Sequence, residues 1–277
     1  MRLRKASAIA ASVLALSLAA TACGGGDDEG GSGDGGGDTI NVGIKYDQPG
    51  LGLKTPDGEF VGFDVDVATY IAGELGYEPD QINFVESPSG DRETMLDRGD
   101  VDFIVASYSI TDERKEMVDF AGPYFVAHQD LLIRDGESVS NPEEIADLML
   151  CSVGGSTSAA NLSEQYPGAG LHELATYSEC LTGLENGTVD ALTTDDSILA
   201  GYAAQEQNVG KFALAGLNLS DEYYGVGVPK GETELRDDIN AAITAMVDEG
   251  AWQESIDEHF GPANYAAEPA PEITETS

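Results

Sequence analysis

Short apolar runs of β type alternate with longer amphipathic stretches of helical type between residues 39 and 261. Segment 63–76 represents the second kind, because its apolar residues recur at helical spacing. Those on one face are Val67, Tyr70, Ile71 and Leu75. Alternation on this scale predicts an α/β fold of mainly parallel sheets flanked by helices.

The same pattern places the individual elements along the chain. Strands are predicted at 39–46, 82–86, 101–107, 128–134, 148–153, 171–177, 189–194 and 223–228. Helices are predicted at 63–76, 90–99, 141–148, 157–166, 178–187, 196–207, 234–250 and 252–260. In the third helix Asn141 can act as the cap, and Pro142 then occupies the first helical position.

An internal repeat indicates two related halves. "LDRGDVDFIVAS" (96–107) aligns with "LENGTVDALTTD" (184–195), and the two share Leu, Gly, Val and Asp in one register. Each copy reads as a helix end, a glycine turn and a strand. The register sets Ser107 opposite Asp195 at the carboxyl ends of strands, where open parallel sheets bind ligands. Two related lobes with a cleft between them would follow.

The first 22 residues have the organisation of a secretory signal peptide. Three basic residues precede an apolar run too short for a membrane span, and small residues lead to Cys23. The stretch "AATAC" is similar to a lipoprotein signal, although Ala20 stands where leucine is usual. We expect residues 1–22 to be removed and the lipidated Cys23 to anchor the protein to the outer face of the cell membrane. An ordinary secretory signal with a spare cysteine is the alternative.

Two further segments are unsuited to a core. Residues 24–38 contain only Gly, Asp, Glu and Ser, so we expect 23–38 to be the lipidated cysteine and a flexible linker. Residues 263–277 are rich in proline and glutamate and are expected to form a flexible, fraying tail.

The strong negative charge of the chain limits the classes of partner that it can bind. The chain carries 51 acidic against 13 basic residues, a formal net charge of −38, and a phosphate backbone would oppose this field. We therefore expect no nucleic-acid partner. With Cys23 assigned to the lipid, Cys151 and Cys180 can form a disulfide or remain two buried thiols. The three histidines are scattered and C-x-x-C is absent from the sequence, so no metal or other cofactor is expected.

An arginine beside hydroxyls is a candidate anion site in so acidic a chain. Ser107 and Ser109 follow the apolar run at 101–106, and Arg114 comes five residues later. A guanidinium matches a carboxylate with two parallel hydrogen bonds. On the residues alone, the other interpretation is equally good: Thr111 caps a short helix, and Arg114 lies on its solvated face.

Three blocks make the chain similar to a known family. They are "GEFVGFDVDVATYIAGELG", "GDVDFIVASYSITDERKEMVDFAGPY" and "GTVDALTTDDS". Together they resemble the polar-amino-acid (family 3) solute-binding proteins of bacterial ABC transporters, over roughly residues 39–261. The segments "VGIKYDQPGLGLK" and "DEYYGVGV" narrow the resemblance to glutamate-binding lipoproteins of high-GC Gram-positive bacteria.

The resemblance implies the two-lobe periplasmic-binding-protein fold of type II. Lobe one would combine 39–128 with 227–262, and lobe two with the crossovers would be 129–226. "HQDLLIR" and "YYGVGV" would be the two crossovers. A ligand would close the lobes by hinge motion, and a membrane permease and ATPase would receive it. We expect a monomer.

The resemblance also implies roles for single residues. Arg114 matches the arginine that holds the ligand α-carboxylate, with Ser107 and Ser109 at hydroxyl positions beside it. Thr157, in the glycine-preceded "GGSTSAA", matches a contact to the same carboxylate from lobe two. Asp195 matches the partner of the ligand ammonium. Asp196 is expected to cap the helix that follows, although the two adjacent carboxylates could exchange roles.

Ligand selectivity depends on further basic residues. A second carboxylate on the ligand needs a positive partner, because a buried unpaired charge costs several kcal/mol. Lys45 and Arg92 stand at positions that contact the ligand side chain in relatives, and Ser89 lies one turn before Arg92. These positions predict glutamate, with aspartate and glutamine as alternatives. Lys45 as a surface lysine and Arg92 as an exposed helix residue are the opposing interpretations.

Two other classes of protein compete with a binding protein. Some relatives with this fold are dehydratases of cyclic amino acids, such as cyclohexadienyl or arogenate dehydratase. An enzyme needs a placed acid or base, and only His128, near a crossover, is a candidate. A receptor ectodomain would need a membrane span and a signalling domain. We therefore expect a non-enzymatic binding protein.

Overall fold

The computed structural model describes residues 39–276. The predicted signal peptide, Cys23 and the linker lie outside these residues. Within them, none of the helices is both long and apolar enough to cross a bilayer.

The strands follow the predicted order. They are β1 (Ile40–Ile44), β2 (Asp47–Gln48), β3 (Gly52–Lys54), β4 (Phe60–Val61), β5 (Ile82–Glu86), β6 (Phe103–Ile104), β7 (Val118–Arg134), β8 (Met149–Val153), β9 (Gly170–Leu174), β10 (Ala191–Asp195), β11 (Phe212–Leu214) and β12 (Asp221–Pro229). The helices are α1 (Phe63–Glu74), α2 (Arg92–Arg98), α3 (Asp112–Lys115), α4 (Thr157–Gln165), α5 (Tyr177–Glu185), α6 (Asp196–Ala204), α7 (Thr233–Asp248) and α8 (Ala251–Phe260). Short 3-10 helices lie at Pro79–Gln81, Pro142–Asp147 and Gly261–Ala263.

The main sheet has the order β5-β1-β6-β12-β7-β10-β8-β9, and β11 also pairs with β7. Pairs within each half, such as β1 with β5 and β8 with β9, are parallel. The long β7 joins the halves: it pairs with β12 over its first part and with β10 from Gln129 onward. The chain therefore has the predicted type II two-lobe fold, and its two crossover strands lie side by side where His128 pairs with Asp221.

The internal repeat has the same structural role in both lobes. Gly99 and Gly187 both adopt positive φ, 70° and 79°, after a helix. The repeated aspartate then accepts a backbone N–H at the start of a neighbouring strand. Asp102 accepts from Asn41 at 2.7 Å in lobe one, and Asp190 accepts from Met149 at 2.8 Å in lobe two. The sequence match thus corresponds to a repeated turn and its bond to the sheet.

Strands β2, β3, β4 and β11 were not predicted. Segments 101–107, 141–148 and 171–177 are shorter or of another kind in the structure, and Tyr177 already belongs to α5. Segment 101–107 forms a ladder only at Phe103–Ile104, because Ser107 adopts a left-handed φ of 42° that ends the extended chain. Segment 141–148 forms a 3-10 helix rather than an α-helix. Pro142 begins it, but the Asn141 amide donates to Glu144 and does not cap it.

The C-terminal tail, which we expect to be flexible, makes several contacts with the rest of the protein. The Tyr265 ring packs on the core, and the Tyr265 hydroxyl donates to Asp196 at 2.9 Å. Further on, the Asn240 amide donates to the Glu275 carbonyl at 2.8 Å. Proline and glutamate content predicts poor burial, yet this segment needs only a few anchoring side chains because the body supplies donors for its backbone.

Cys151 on β8 and Cys180 on α5 are joined by a disulfide. Both residues are fully buried. The bond ties α5 to the sheet of lobe two, close to the start of the helix that carries Tyr177.

Candidate functional site

A cavity lies between the two lobes, at the carboxyl ends of strands from both. Its lining residues are Gln48, Ser89, Arg92, Ser107, Ser109, Arg114, Ser156, Thr157, Tyr177, Asp195 and Ile198. The structure therefore brings together seven of the eight residues predicted to contact a ligand. The eighth, Lys45, lies behind Ser89 and donates to its hydroxyl at 2.8 Å.

Ser107 is held in its left-handed conformation by two side chains. The buried Asp64 carboxylate accepts the Ser107 N–H at 2.8 Å, and Ser107 Oγ donates to Gln48 Oε1 at 2.9 Å. Asp64 also accepts from Tyr124. Burial raises the pKa of Asp64 to about 6, against the lowering effect of these bonds. A non-glycine residue at positive φ stores strain that the surroundings must hold, as is common in binding sites.

Arg114 lies in the cleft. Thr111 does cap α3, as one interpretation required, but only 8% of Arg114 is exposed, so the solvated-face interpretation is wrong. Its guanidinium donates to the carbonyls of Ser109 at 2.7 Å and, across the cleft, Gly155 at 3.0 Å. Nε lies 3.4 Å from a Glu93 carboxylate oxygen. A guanidinium has five N–H donors, so these three contacts leave donors for a ligand.

The start of α4 provides the facing hydroxyls. Ser156 is its N-cap and accepts the Ala159 N–H at 3.1 Å. Thr157 is the first helical residue, and its Oγ1 lies 3.3 Å from Ser109 Oγ across the cleft. Hydroxyls can donate or accept, so this pair can turn toward a carboxylate between them.

Asp195 ends β10 and is 4% exposed. Tyr224 and Ser158 donate to its carboxylate. Burial is the main cause that raises the pKa of Asp195 to about 8. Repulsion from the nearby Glu222 carboxylate is the second cause, and repulsion from Asp196 contributes less. A carboxyl with so unfavourable a charged form is well suited to a cationic partner.

Asp196 does not cap α6 as expected, because it is itself the first residue of that helix. One oxygen accepts the backbone N–H of His128 at 3.0 Å, and the same oxygen accepts from Tyr265. Asp196 therefore binds the crossover and the tail. Since it faces away from the cavity lining, it does not share the position of Asp195.

Arg92 and Lys45 are both buried, so the surface interpretations of these residues are wrong. Arg92 is 2% exposed, and its guanidinium stacks 4.0 Å above the Tyr108 ring. It donates to the carbonyls of Ala106 at 3.0 Å and Ser89 at 3.3 Å. These bonds fix its position on the cavity wall.

Lobe one therefore places three basic side chains at the cleft: Arg92 and Arg114 line the cavity, and Lys45 lies behind Ser89. Burial lowers the pKa of Lys45 to about 7, and repulsion from Arg92 adds to this effect. Burial likewise lowers the pKa of Arg92 to about 10, with repulsion from Arg114 second. A positive cluster of this kind favours an anion at the cavity.

Sequence reasoning missed several residues of the site. Gln48, Ser156, Tyr177 and Ile198 also line the cavity. Gln48 stands in the quoted segment "YDQPG", and Ile198 follows Asp195 by one helical turn, so proximity to predicted strand ends was the available signal. Glu93 carried no signal, because its contact with Arg114 joins side chains of two separate helices.

The site has the donors and acceptors for a small charged ligand, and metal ligands are not grouped there. Within residues 39–276, no three His, Cys, Asp or Glu side chains are placed to hold a metal ion. His128 lies at the crossover beside Asp196, Asp221 and Glu268, away from the cavity lining. It is therefore not positioned to act on a ligand in the cavity.

Comparisons with known proteins agree with this architecture. The model of the bacterial extracellular solute-binding proteins, family 3, matches residues 40–262, which stops before the tail. The glutamate-binding protein GluB of Corynebacterium efficiens is 44% identical over 270 residues, covering 93% of this chain and 91% of that protein. The ABC transporter glutamine-binding protein GlnH of Bacillus subtilis is 40% identical over 219 residues, 78% of this chain and 79% of that protein.

Among solved structures, an ancestral arginine-binding protein bound to arginine superposes with a TM-score of 0.74 at 32% identity. The match covers 80% of this chain and 98% of that protein. All three relatives are named for binding an amino acid. The chain belongs to the bacterial extracellular solute-binding proteins, family 3.

Proposed function

We propose that this protein captures L-glutamate between its lobes and delivers it to the permease and ATPase of an ABC importer. The similarity to a glutamate-binding protein and to an ABC transporter glutamine-binding protein supports this class of ligand and partner. The observation that carries the choice of glutamate is the set of three buried basic side chains at the cleft, with Arg92 and Arg114 on the wall and Lys45 behind Ser89.

The common part of an amino acid fits the two walls. Arg114 holds the α-carboxylate with the donors left by its protein contacts, helped by the hydroxyls of Ser109 and Thr157. Asp195 on the opposite wall pairs with the ammonium. Charge-assisted bonds of this type are roughly twice as strong as neutral ones.

The distinguishing part of glutamate meets the other two cations. Arg92 lines the cavity, and Lys45 acts through Ser89. Because a lysine ammonium only donates, Ser89 Oγ accepts from Lys45, and its own hydrogen is then free for a γ-carboxylate. Glutamine would fill the same space without neutralising the cluster.

A pair of substitutions tests the choice of ligand. Arg92→Met and Lys45→Met each remove a cation and keep an apolar chain of similar length, so glutamate affinity should fall about a hundredfold while glutamine affinity changes far less. Calorimetry with both ligands measures the ratio. The matched controls are Arg98→Met, at the exposed end of the same helix, and Lys54→Met, on an exposed strand end.

The outcome is decisive in either direction. If both cleft variants keep the parental glutamate-to-glutamine ratio, the acidic ligand is wrong and a neutral polar amino acid becomes the better assignment. Incubation with amino acids and detection of a product by NMR would instead indicate an enzyme.

The lipid anchor is a second part of the proposal. Cys23 would hold the monomeric protein at the outer face of the cell membrane, since "AATAC" resembles a lipoprotein signal. Cys23→Ser should release the protein into the medium. Unchanged membrane fractionation would contradict a lipid on this residue.

A further inference from the structure

The lobes touch at a second place, one helical turn beyond the cavity. Asp47 on β2 accepts hydrogen bonds from lobe two: Ser178 N–H at 3.3 Å, Ser178 Oγ at 3.0 Å and the Tyr202 hydroxyl at 3.1 Å. The Tyr202 hydroxyl also lies within hydrogen-bond distance of the Asp47 carbonyl. Because Asp47 lies in lobe one and Ser178 and Tyr202 lie in lobe two, the contact exists only while the lobes are together.

Gly201 makes the closest approach at this contact. A Cβ atom at this position would lie 1.9 Å from the carbonyl oxygen of Pro49 in lobe one. Real Cβ atoms essentially never come nearer than 3.0 Å to such an atom. A methyl group at residue 201 would therefore hold the lobes apart by more than 1 Å.

The helix itself does not require glycine here. Gly201 lies inside α6 and has no left-handed backbone conformation. Glycine in a helix interior costs about 1 kcal/mol relative to alanine. The helix alone would thus favour alanine at position 201, and the contact with Pro49 is what requires glycine there.

A second glycine contact spans the cleft but is less informative. A Cβ at Gly155 would lie 2.6 Å from Gly90 Cα in the opposite lobe. However, Gly155 has a φ of 78°, which by itself favours glycine. At Gly201, by contrast, the close approach of the other lobe is what requires glycine.

We propose that Asp47 and Pro49 of lobe one, with Ser178, Gly201 and Tyr202 of lobe two, form a closing clasp that sets ligand affinity without touching the ligand. Gly201 is its positioning residue, because only a residue without a side chain lets the lobes reach the clasped arrangement. The proposal rests on the proposed binding function and adds how the same site is regulated.

The clasp acts through the closed population. Its neighbours Gln48 and Ile198 line the cavity, so both cleft walls shift with it. A ligand that needs both walls binds with an apparent dissociation constant that rises as the closed fraction falls. Arg114 and Thr157 could not grip one carboxylate across a cleft that is held open.

Gly201→Ala tests the steric part, with Gly73→Ala as matched control. Gly73 lies in α1, where a Cβ would meet nothing within 4 Å. Both variants should melt at or above the parental temperature without ligand, since alanine favours helices. Gly201→Ala should bind glutamate at least thirtyfold more weakly and lose the ligand-induced decrease in radius of gyration seen by X-ray scattering. Gly73→Ala should match the parent in both.

Tyr202→Phe tests the polar part, with Tyr70→Phe as control. Tyr70 also donates to a carboxylate, that of Glu249, but within lobe one. Tyr202→Phe should weaken binding three- to tenfold with an unchanged ligand-free melting temperature, and Tyr70→Phe should not alter affinity.

The two proposals fail differently. If the parent binds another amino acid but not glutamate, the choice of glutamate is wrong. The clasp variants are then measured with the amino acid that does bind. If Gly201→Ala closes on that ligand with parental affinity, the clasp is wrong and the ligand assignment stands. A parent that binds none of the twenty amino acids overturns both.

Discussion

The two walls of the cleft carry charge in different ways. Lobe one presents the cations Lys45, Arg92 and Arg114, whereas lobe two presents the single carboxylate Asp195. The rest of the lobe-two wall is uncharged: the hydroxyls of Ser156 and Thr157 at the start of α4, with Tyr177 and Ile198. The comparison shows how a strongly acidic protein can hold positive charge at a cavity: the basic side chains there are concentrated in one lobe.

On each wall, hydrogen bonds from the protein hold the charged side chains in position. The arginines of lobe one donate to fixed backbone carbonyls, such as those of Ala106 and Ser109. Asp195 instead accepts from hydroxyls. Because these bonds orient the charges before a ligand arrives, less ordering remains to be done on binding.

The largest effect should come from removing the central cation. Arg114→Ala would leave a buried ligand carboxylate unpaired, a cost of roughly 3–5 kcal/mol, or about a few hundred- to a few thousand-fold in affinity. Calorimetry measures it. Arg114→Lys, which keeps the charge but not the two-pronged donor, should be intermediate. A change below threefold for Arg114→Ala would refute its role as the carboxylate partner.

The opposite wall should respond with a gain in stability as well as a loss of binding. Asp195→Asn removes the ammonium partner and should cost about 3 kcal/mol of binding free energy. The raised pKa of Asp195 means that its stabilising contribution to the ligand-free protein is present at acidic pH and is lost as pH rises through about 8.

Asparagine has no such loss, so the ligand-free variant should melt above the parent at pH 9, by more than at pH 5. Thermal melts at the two pH values provide the comparison. Equal differences at both would show that Asp195 is ionised throughout.

The disulfide offers a way to loosen one wall alone. Replacing Cys151 and Cys180 with alanine should lower the free energy of unfolding by about 3 kcal/mol on the chain-entropy account. Amide hydrogen exchange should then speed up in β8 and α5 and not in β1 and α1. Uniform acceleration in both lobes would mean that the two walls do not have separate stabilities.

The smallest effect isolates Lys45. Its pKa of about 7 should rise when a γ-carboxylate binds, so glutamate binding takes up a proton above pH 7. The glutamate-to-glutamine affinity ratio should fall by about tenfold between pH 7 and pH 9. The titration of Asp195 is common to both ligands and cancels in this ratio. Lys45→Met should have a flat ratio, and a flat ratio in the parent would refute the assignment.

The sequence is sufficient to predict the main layout of fold and site for a physical reason. Parallel strands end at one edge, so polar residues at strand ends such as Ser107 and Asp195 have to meet there. The order of β and α segments likewise follows from their different hydrophobic periods. These features depend on local pattern alone.

The remaining features depend on distances that no local pattern encodes. Lys45 lies behind Ser89 rather than on the cavity wall, because strand and helix packing sets its depth. The space that excludes a side chain at Gly201 is formed by Pro49, 152 positions away. The contacts of the tail are likewise not encoded in its composition, which does not show that Asn240 and Asp196 bind it.

The order of strands in the sheet determines when each strand finds its neighbour as the chain is synthesised. Lobe two is continuous from β8 to β11, but β6 of lobe one pairs with β12, where Ile104 lies opposite Gly227. At a synthesis rate of roughly 5–20 residues per second, on the order of ten seconds separate these two residues as the chain is made. The strands of lobe two can pair within that interval, while β6 of lobe one has β1 beside it and still lacks β12. Lobe one is therefore the half that must be kept from aggregating until synthesis ends.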